Sequence, residues 1–407
     1  MGLDFITMFP WFFISIVFLN RYFFGIFLLL LHRYKPKFFP PATPTSWPSV
    51  TVIIPMYNES QQIYKTLHSL AIQEYPADKF KIIVVDDASK DDSLFWAQKA
   101  AAEHPIIQVL INPTNIGKRL GISRALQLAT SEFIVSVDSD VIADTHAICE
   151  LMKGFTDEKI AAVGGRVYVL NCHENWLTKM QAIKYFFGYQ YLKNLENAYS
   201  TVLCLSGCLT AYRRRVLIEL EPIVQNRHMF GVPIKYGEDR FLTRQIIKAG
   251  YATRLCPKAI CFTNAPTTLS GYFSQQLRWR RSNLVDFLGS LSHIWRLPLP
   301  VLLHYLSLHS ILWAYPFFLW SSLLTGHFFQ GTVLHFGVLG IYGMVYQLQK
   351  KESPEHLQVA GIHFLWMAFL MPVTYMVLSA LALFTLDSGS WETRGKHQEI
   401  QKPTETV

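Results

Sequence analysis

Apolar and polar positions follow three different regimes along the chain. Phe9 to Leu31, FPWFFISIVFLNRYFFGIFLLLL, is apolar almost throughout and long enough to cross a bilayer. Asn20 and Arg21 in its middle are costly in hydrocarbon, so they are expected to face other helices or to split the segment. The absence of a small-residue cleavage site favours a retained anchor over a removed signal peptide. The basic run HRYKPK, His32 to Lys37, places the next region of the chain on the cytoplasmic side. PPATPTSWP, Pro40 to Pro48, reads as an extended linker.

From Val50 to about Leu297 the pattern changes. TVIIP, KIIVVDD, IIQVLI and EFIVSVDSD are short β-branched runs that end in polar residues, and SQQIYKTLHSLAIQ and DDSLFWAQKAAAEH between them are helix-like. Continuous apolar strands spaced by helices predict an α/β domain with a parallel sheet covered on both faces. In such sheets ligands bind beyond the carboxyl ends of the strands. After Pro298 three long apolar stretches suggest three spans. Pro372 interrupts the last of them, which predicts a broken segment or an interface helix near Pro372 to Leu386. The expected organisation is an anchor over 1–37, a linker over 38–48, the α/β domain over 49–297, membrane or interface helices over 298–386 and a polar tail over 387–407.

Composition sharpens the membrane reading. Of 407 residues 51% are hydrophobic and only 16% charged, with a net charge of +8, where a soluble domain is nearer a quarter charged. The cations crowd beside the apolar runs, which fits anionic lipid or an anionic substrate better than nucleic acid. They form no recognisable nucleic-acid reader module. The six cysteines show no C-x-x-C pair, which argues against zinc and for reduced cytosolic thiols.

Four features carry candidate chemistry, and each has a plain structural alternative. Asp86 and Asp87 close a strand and are followed by helix-capping SKDDS, which alone reads as a turn and cap. Asp138 and Asp140 in VSVDSD are two apart, so an extended backbone projects both carboxylates from one face while Ser139 points away. Such a pair can hold one hard divalent cation and leave positions open for phosphate oxygens, or it can be a turn. Glu238 and Asp239 precede an amphipathic helix. They either complement its dipole or place a carboxylate to take a proton from a hydroxyl. In QQLRWRRS, Gln275 and Arg278 share a helix face. Both donate to phosphate, and Trp279 offers a flat platform to a sugar ring. The alternative is a juxtamembrane basic-aromatic anchor, and Arg280 and Arg281 read best as such anchors.

The order D-D, D-x-D, E-D, Q-x-x-R-W along an α/β domain resembles the processive family-2 glycosyltransferases, which include cellulose, chitin and hyaluronan synthases. PMYNES (Pro55 to Ser60), NIGKR (Asn115 to Arg119), SGCLTAYRR (Ser206 to Arg214), GEDRFLT (Gly237 to Thr243) and QQLRWRRS look most like the hyaluronan synthases and chitin-oligosaccharide synthases. SGSWETRGK, Ser388 to Lys396, resembles the gating segment of that group. The resemblance implies a GT-A (Rossmann-like) domain between N- and C-terminal transmembrane helices, in the plasma (inner) membrane with the catalytic domain cytoplasmic. It implies an inverting β-glycosyl transfer from UDP-sugars, UDP-GlcNAc with or without UDP-glucuronate, to a growing polysaccharide. Tyr57, Glu59 and Asp87 would meet the pyrimidine, with Asp86 in support, and Lys118 the nucleotide or the surroundings of the sugar. Asp138 and Asp140 would hold Mg2+ or Mn2+, Asp140 as the direct ligand. Asp239, beside Glu238, matches the general base. Gln275 and Arg278 would face the diphosphate, Trp279 the acceptor, and Trp391 and Arg394 would close over the nucleotide.

The spans are few for a polymer channel. Either the chain forms a homodimer, or it releases short oligosaccharides, or the channel is minimal. Three full crossings would also put Trp391 outside the cell. A non-processive membrane glycosyltransferase acting on a lipid or short oligosaccharide, and a transporter with a degenerate catalytic domain, are the remaining readings.

Overall fold

A computed structural model of the chain describes residues 42–229 and 231–386. The Phe9–Leu31 anchor and the segment holding Trp391 and Arg394 lie outside the described residues. The apolar runs form strands β1 (Val50–Met56), β2 (Phe80–Asp86), β3 (Ile107–Ile111) and β4 (Phe133–Ser136). Every residue of β1 is buried, as expected of a central strand covered on both faces. Helices α1 (Gln62–Ala71), α2 (Ser93–Glu103) and α3 (Lys118–Leu128) connect these strands. Ala97, Ala100 and Ala125 on α2 and α3 are fully buried, and such small side chains let a helix approach the sheet closely.

Strands β5 (Ile142–Ala143), β6 (Ile160–Val169), β7 (Thr210–Arg213) and β8 (Ala252–Thr263) complete an eight-stranded sheet of order β3-β2-β1-β4-β7-β6-β8-β5. The sheet is mixed, which corrects the all-parallel expectation: β7 and β5 run against their neighbours. The reason is where the chain enters them. Thr210 begins β7 beside Ser136, the last residue of β4, and β5 follows the D-x-D turn at once. Both start at the carboxyl edge, where a parallel strand would first need a crossover back to the other edge.

Helix α4 (Ala147–Lys153) precedes β6, and α5 (Trp176–Phe187) follows it. Asn175 caps α5 by accepting from the Leu177 and Thr178 N–H groups, and Thr178 completes a capping box. Helix α6 (Arg214–Gln225) continues from β7, α7 (Glu238–Lys248) precedes β8, and α8 (Leu269–Ser290) leaves the sheet domain. A second core joins α5 to the C-terminal helices through Phe186, Phe187, Tyr342, Tyr346 and Phe364.

Beyond it run α9 (Leu299–Leu324) and α10 (Phe328–Gln349). Helix α9 bends by 45° between Ile311 and Ala314. Pro316 explains the position, because it has no N–H for the carbonyl four residues earlier. Two helices, Phe328–Glu352 and Glu355–Phe384, are long and apolar enough to cross a membrane, and the bent pair makes up to three. The last of these does not break at Pro372. It passes into a π turn, Val373–Val377, and then into Leu378–Phe384. Both of its ends touch the sheet domain. His173 Nε2 lies 3.0 Å from the carbonyl oxygen of His356, and Tyr236 donates its hydroxyl to the Leu386 carbonyl at 2.7 Å. Arg280 and Arg281, expected at lipid headgroups, hold this helix instead. The buried Arg280 guanidinium lies 4.2 Å from the Tyr375 ring centre, and Arg281 Nη2 donates to Thr385 Oγ1 at 2.8 Å.

Candidate active site

The carboxyl edge of the sheet opens into a cleft of about 1260 Å³ that continues between the C-terminal helices. Lys118, Asp138, Asp140, Glu238, Asp239, Gln275, Arg278 and Trp279 all line it. Residues from Lys118 to Trp279, on four separate segments of the chain, therefore converge on one space.

The loops at the carboxyl ends of β1 and β2 are tied to one another. Glu59 N–H donates to Ser93 Oγ at 2.7 Å, Ser60 N–H to Asp91 Oδ2 at 3.0 Å, and Lys90 N–H to Asn58 Oδ1 at 2.8 Å. These bonds hold Asn58, Ser60 and Ala88 at positive φ, a strain that side chains other than glycine keep only where the surroundings impose it. Asp138–Val141 form a turn, closed by Val141 N–H donating to the Asp138 carbonyl at 3.2 Å, so the extended-strand alternation does not apply here, and Ser139 donates to Glu59 Oε1 at 2.7 Å. Asp87 accepts from Asn112 Nδ2 at 2.9 Å and from the Ile116 and Gly117 N–H groups at 2.8 Å. It thereby shapes the loop that delivers Lys118. Asp86 accepts from Ser89 N–H at 3.2 Å, and burial pushes its carboxyl above the usual range. Tyr57, Asp86 and Asp87 are buried and Glu59 is half-buried, and none of the four is on the cleft lining.

Lys118 Nζ lies 2.7 Å from Asp138 Oδ1 and 2.5 Å from Glu238 Oε1. Burial works against its charge, but the two carboxylates outweigh that and hold its pKa above the ordinary lysine value. Glu238 is also buried, which raises its pKa, yet Lys118 prevails and the net direction is down. Asp239 goes the other way: burial first and the Glu238 charge second push it above the usual carboxylate range. A carboxylate shifted up towards neutral pH is a better proton acceptor when ionised. Asp239 accepts from Gly207 N–H at 3.3 Å and from Arg240 N–H at 2.8 Å. The S-G-C loop is pinned to α7 as well, since Leu205 N–H donates to Thr243 Oγ1 at 3.2 Å.

Gly207 belongs to the SGCLTAYRR run, but the reason for a glycine there is spatial. A Cβ there would stand 3.2 Å from both Asp138 carboxylate oxygens and 3.3 Å from Lys118 Nζ. Lys184 has no sequence signal. It reaches across from α5, donates to Gln276 Oε1 at 2.6 Å and lies 5.8 Å from the Trp279 ring centre. Tyr185 stands 6.4 Å from the same indole.

No group of three His, Cys, Asp or Glu gathers around one point among the described residues. The donor set still fits a hard divalent cation. Asp138 and Asp140 present oxygen ligands beside the backbone cradle of Gly207, and Mg2+ or Mn2+ commonly takes one or two carboxylates and completes its shell with phosphate oxygens and water.

Residues 48–282 match the profile described as Glycosyltransferase like family 2. An N-acetylglucosaminyltransferase of Rhizobium leguminosarum bv. viciae is 32% identical over 358 residues, covering 86% of this chain and 82% of the relative. One of Mesorhizobium japonicum is 33% identical over 265 residues, and the chain spans 62% of that relative's length. In fold, the chain is similar to a mannosyltransferase of Pyrobaculum calidifontis solved with GDP-Man and Mn2+. The TM-score is 0.56 at 20% identity, over 91% of this chain and 95% of that one.

Proposed function

The chain belongs to glycosyltransferase family 2, and from that premise we propose that it transfers N-acetylglucosamine from UDP-GlcNAc to the hydroxyl of a growing glycan. The observation that carries this reading is the convergence of Asp140, Asp239, Arg278 and Trp279 on one cleft. The relatives named N-acetylglucosaminyltransferase support the choice of sugar.

Asp239 takes the proton of the acceptor hydroxyl as that oxygen attacks the anomeric carbon from the face opposite UDP. The bond from that carbon to the diphosphate oxygen breaks, and UDP leaves with the electron pair. One displacement inverts the centre and needs no covalent sugar–enzyme intermediate. Arg278, Gln275 and Lys118 donate to the departing diphosphate, where fixed donors are worth most because they need no reorganisation. Asp138 and Asp140 would hold Mg2+ or Mn2+, which when bound adds positive charge at the diphosphate. Glu238 keeps Lys118 beside Asp138. Trp279 supports the acceptor ring, and the cleft beyond it is lined by Tyr342, Phe364 and Tyr375, which favours repeated elongation over a single transfer.

α9 and α10 cross the inner membrane, and Glu355–Phe384 lies along the cytoplasmic domain that holds both of its ends. The tail then starts on the cytoplasmic side, within reach of the cleft, where Trp391 and Arg394 would close over bound nucleotide. Protease accessibility of a C-terminal tag in sealed inverted and right-side-out vesicles tests this, and a tag exposed outside the cell ends it.

UDP release from purified protein is the central experiment, with UDP-GlcNAc alone, UDP-glucuronate alone and both together. Release with UDP-GlcNAc alone marks a chitin-like product, and release only with both marks a hyaluronan-like one. Silence with every UDP-sugar overturns the reading. Product length on a gel separates elongation from transfer to a short or lipid acceptor.

A further inference from the structure

Behind the cleft, α7 and α8 are pressed together at two levels. Gly237, at φ +66°, is so close to α8 that a Cβ there would overlap Ser282 Oγ. At the second level a Cβ on Gly289 would overlap Arg244 Nη1. From 237 to 244 and from 282 to 289 the spacing is the same, about two helical turns. The two helices therefore run side by side in one direction with a fixed offset. The first carries Asp239 and the second carries Arg278.

Between the two levels sits Asp286, 4% exposed and absent from the cleft lining. Its Oδ1 lies 3.2 Å from Arg244 Nε, and Arg244 Nη1 donates to its backbone carbonyl at 3.2 Å. Tyr305, from α9, donates its hydroxyl to Asp286 Oδ2 at 3.2 Å, and Ser290 Oγ lies 2.9 Å from that same hydroxyl. Burial raises the carboxyl's pKa, while Arg240, Arg244 and Arg227 all pull it down. One carboxylate thus answers guanidiniums on the base-bearing helix and also receives a bond from the first C-terminal helix. Removing one partner from such a buried set leaves charge uncompensated.

We propose that Asp286 is a positioning residue for transfer, holding the helix of Asp239 in register with the helix of Arg278 and tying both to α9. The inference rests on the roles proposed above for Asp239 and Arg278. A small shift between the two helices would separate base from leaving-group donors without touching either side chain, and misplacement of about 1 Å costs on the order of 100-fold in rate.

The test uses full-length protein in detergent. Asp286→Asn is expected to lower kcat about 100-fold while calorimetric UDP affinity stays at the wild-type value. Amide exchange over residues 238–242 quickens in the same variant, and exchange in β1–β4 does not. Asp286→Glu restores part of kcat. Tyr305→Phe removes only the hydroxyl, with its contacts to Asp286 and Ser290, and gives a smaller loss in the same direction, so the proposal stays testable if the Asn variant folds poorly. Wild-type kcat with unchanged exchange overturns the proposal, and so does a loss of kcat matched by an equal loss of UDP affinity. If the wild-type chain releases no UDP from any donor, the transfer reading fails separately, and the exchange measurement still decides whether Asp286 sets the register.

Discussion

The two walls of the cleft are held together by different physics. On the sheet side, Lys118, Asp138, Glu238 and Asp239 are fixed by short, charged or hydrogen-bonded contacts. On the helical side, Trp279 stands against Tyr185, Tyr342 against Phe187 and Tyr375 against Tyr315, through ring contacts and apolar area. Directional charged contacts are strong and specific to one geometry, whereas burial of apolar area is graded and tolerant of shape. The donor wall should therefore respond to substitution almost as a switch, and the acceptor wall by degrees.

The largest expected effect tests the switch-like wall. Asp239→Asn removes the base and should lower transfer by about 1000-fold or more, with UDP binding retained. The same variant should be more stable. The folded-state pKa of Asp239 is raised, so its stabilising contribution exists below the unfolded value and is lost as pH rises through the folded one. At neutral pH the ionised carboxylate is a burden that asparagine does not carry. The Tm gain over wild type should shrink as pH is lowered into the carboxylate range. Near-normal turnover would remove Asp239 as the base, and a lower Tm at neutral pH would contradict the direction of its shift.

Lys118→Met comes next. It leaves Asp138 and Glu238 facing each other without the cation between them, and it removes a donor from the diphosphate region. A loss of about 100-fold in kcat/KM is expected, with a clear rise in donor KM. A variant with an unchanged donor KM would mean that Lys118 only holds the fold, and the contrast between the walls would lose its main support.

The sequence showed these two walls unequally. Strand ends at Asp86, Asp138 and the loop before Glu238 were readable because β-branched runs stop in acids, and sheet ligands sit at carboxyl edges. The reversed strands β5 and β7 were not readable, since four-residue and shorter runs carry no direction of their own. Asp286 was hidden, and Gly207 was visible only as part of the SGCLTAYRR run, for the same reason: each matters through a neighbour far along the chain, Asp138 for Gly207 and Arg244 for Asp286. Arg280 and Arg281 looked like lipid anchors because periodicity places a cation on a helix face without saying what covers that face. Here Tyr375 and Thr385 cover it.

The smallest expected effect sharpens the comparison most. Trp279 is 36% exposed in the cleft, with Lys184 and Tyr185 beside it, so a sugar ring laid on its face would bury the remaining apolar area. Covering part of an aromatic side chain is worth about 1.5 kcal/mol, or roughly 10-fold in binding. Trp279→Ala should therefore raise acceptor KM about 10-fold, leave UDP affinity unchanged and shorten the product. Trp279→Phe should recover part of the loss, as graded area predicts, whereas no conservative replacement of Asp239 should recover transfer. A defect confined to donor affinity would move Trp279 to the other wall. An all-or-none loss with Phe as well would show that the indole holds a directed bond, and the division between a charge-built and an area-built wall would fall with it.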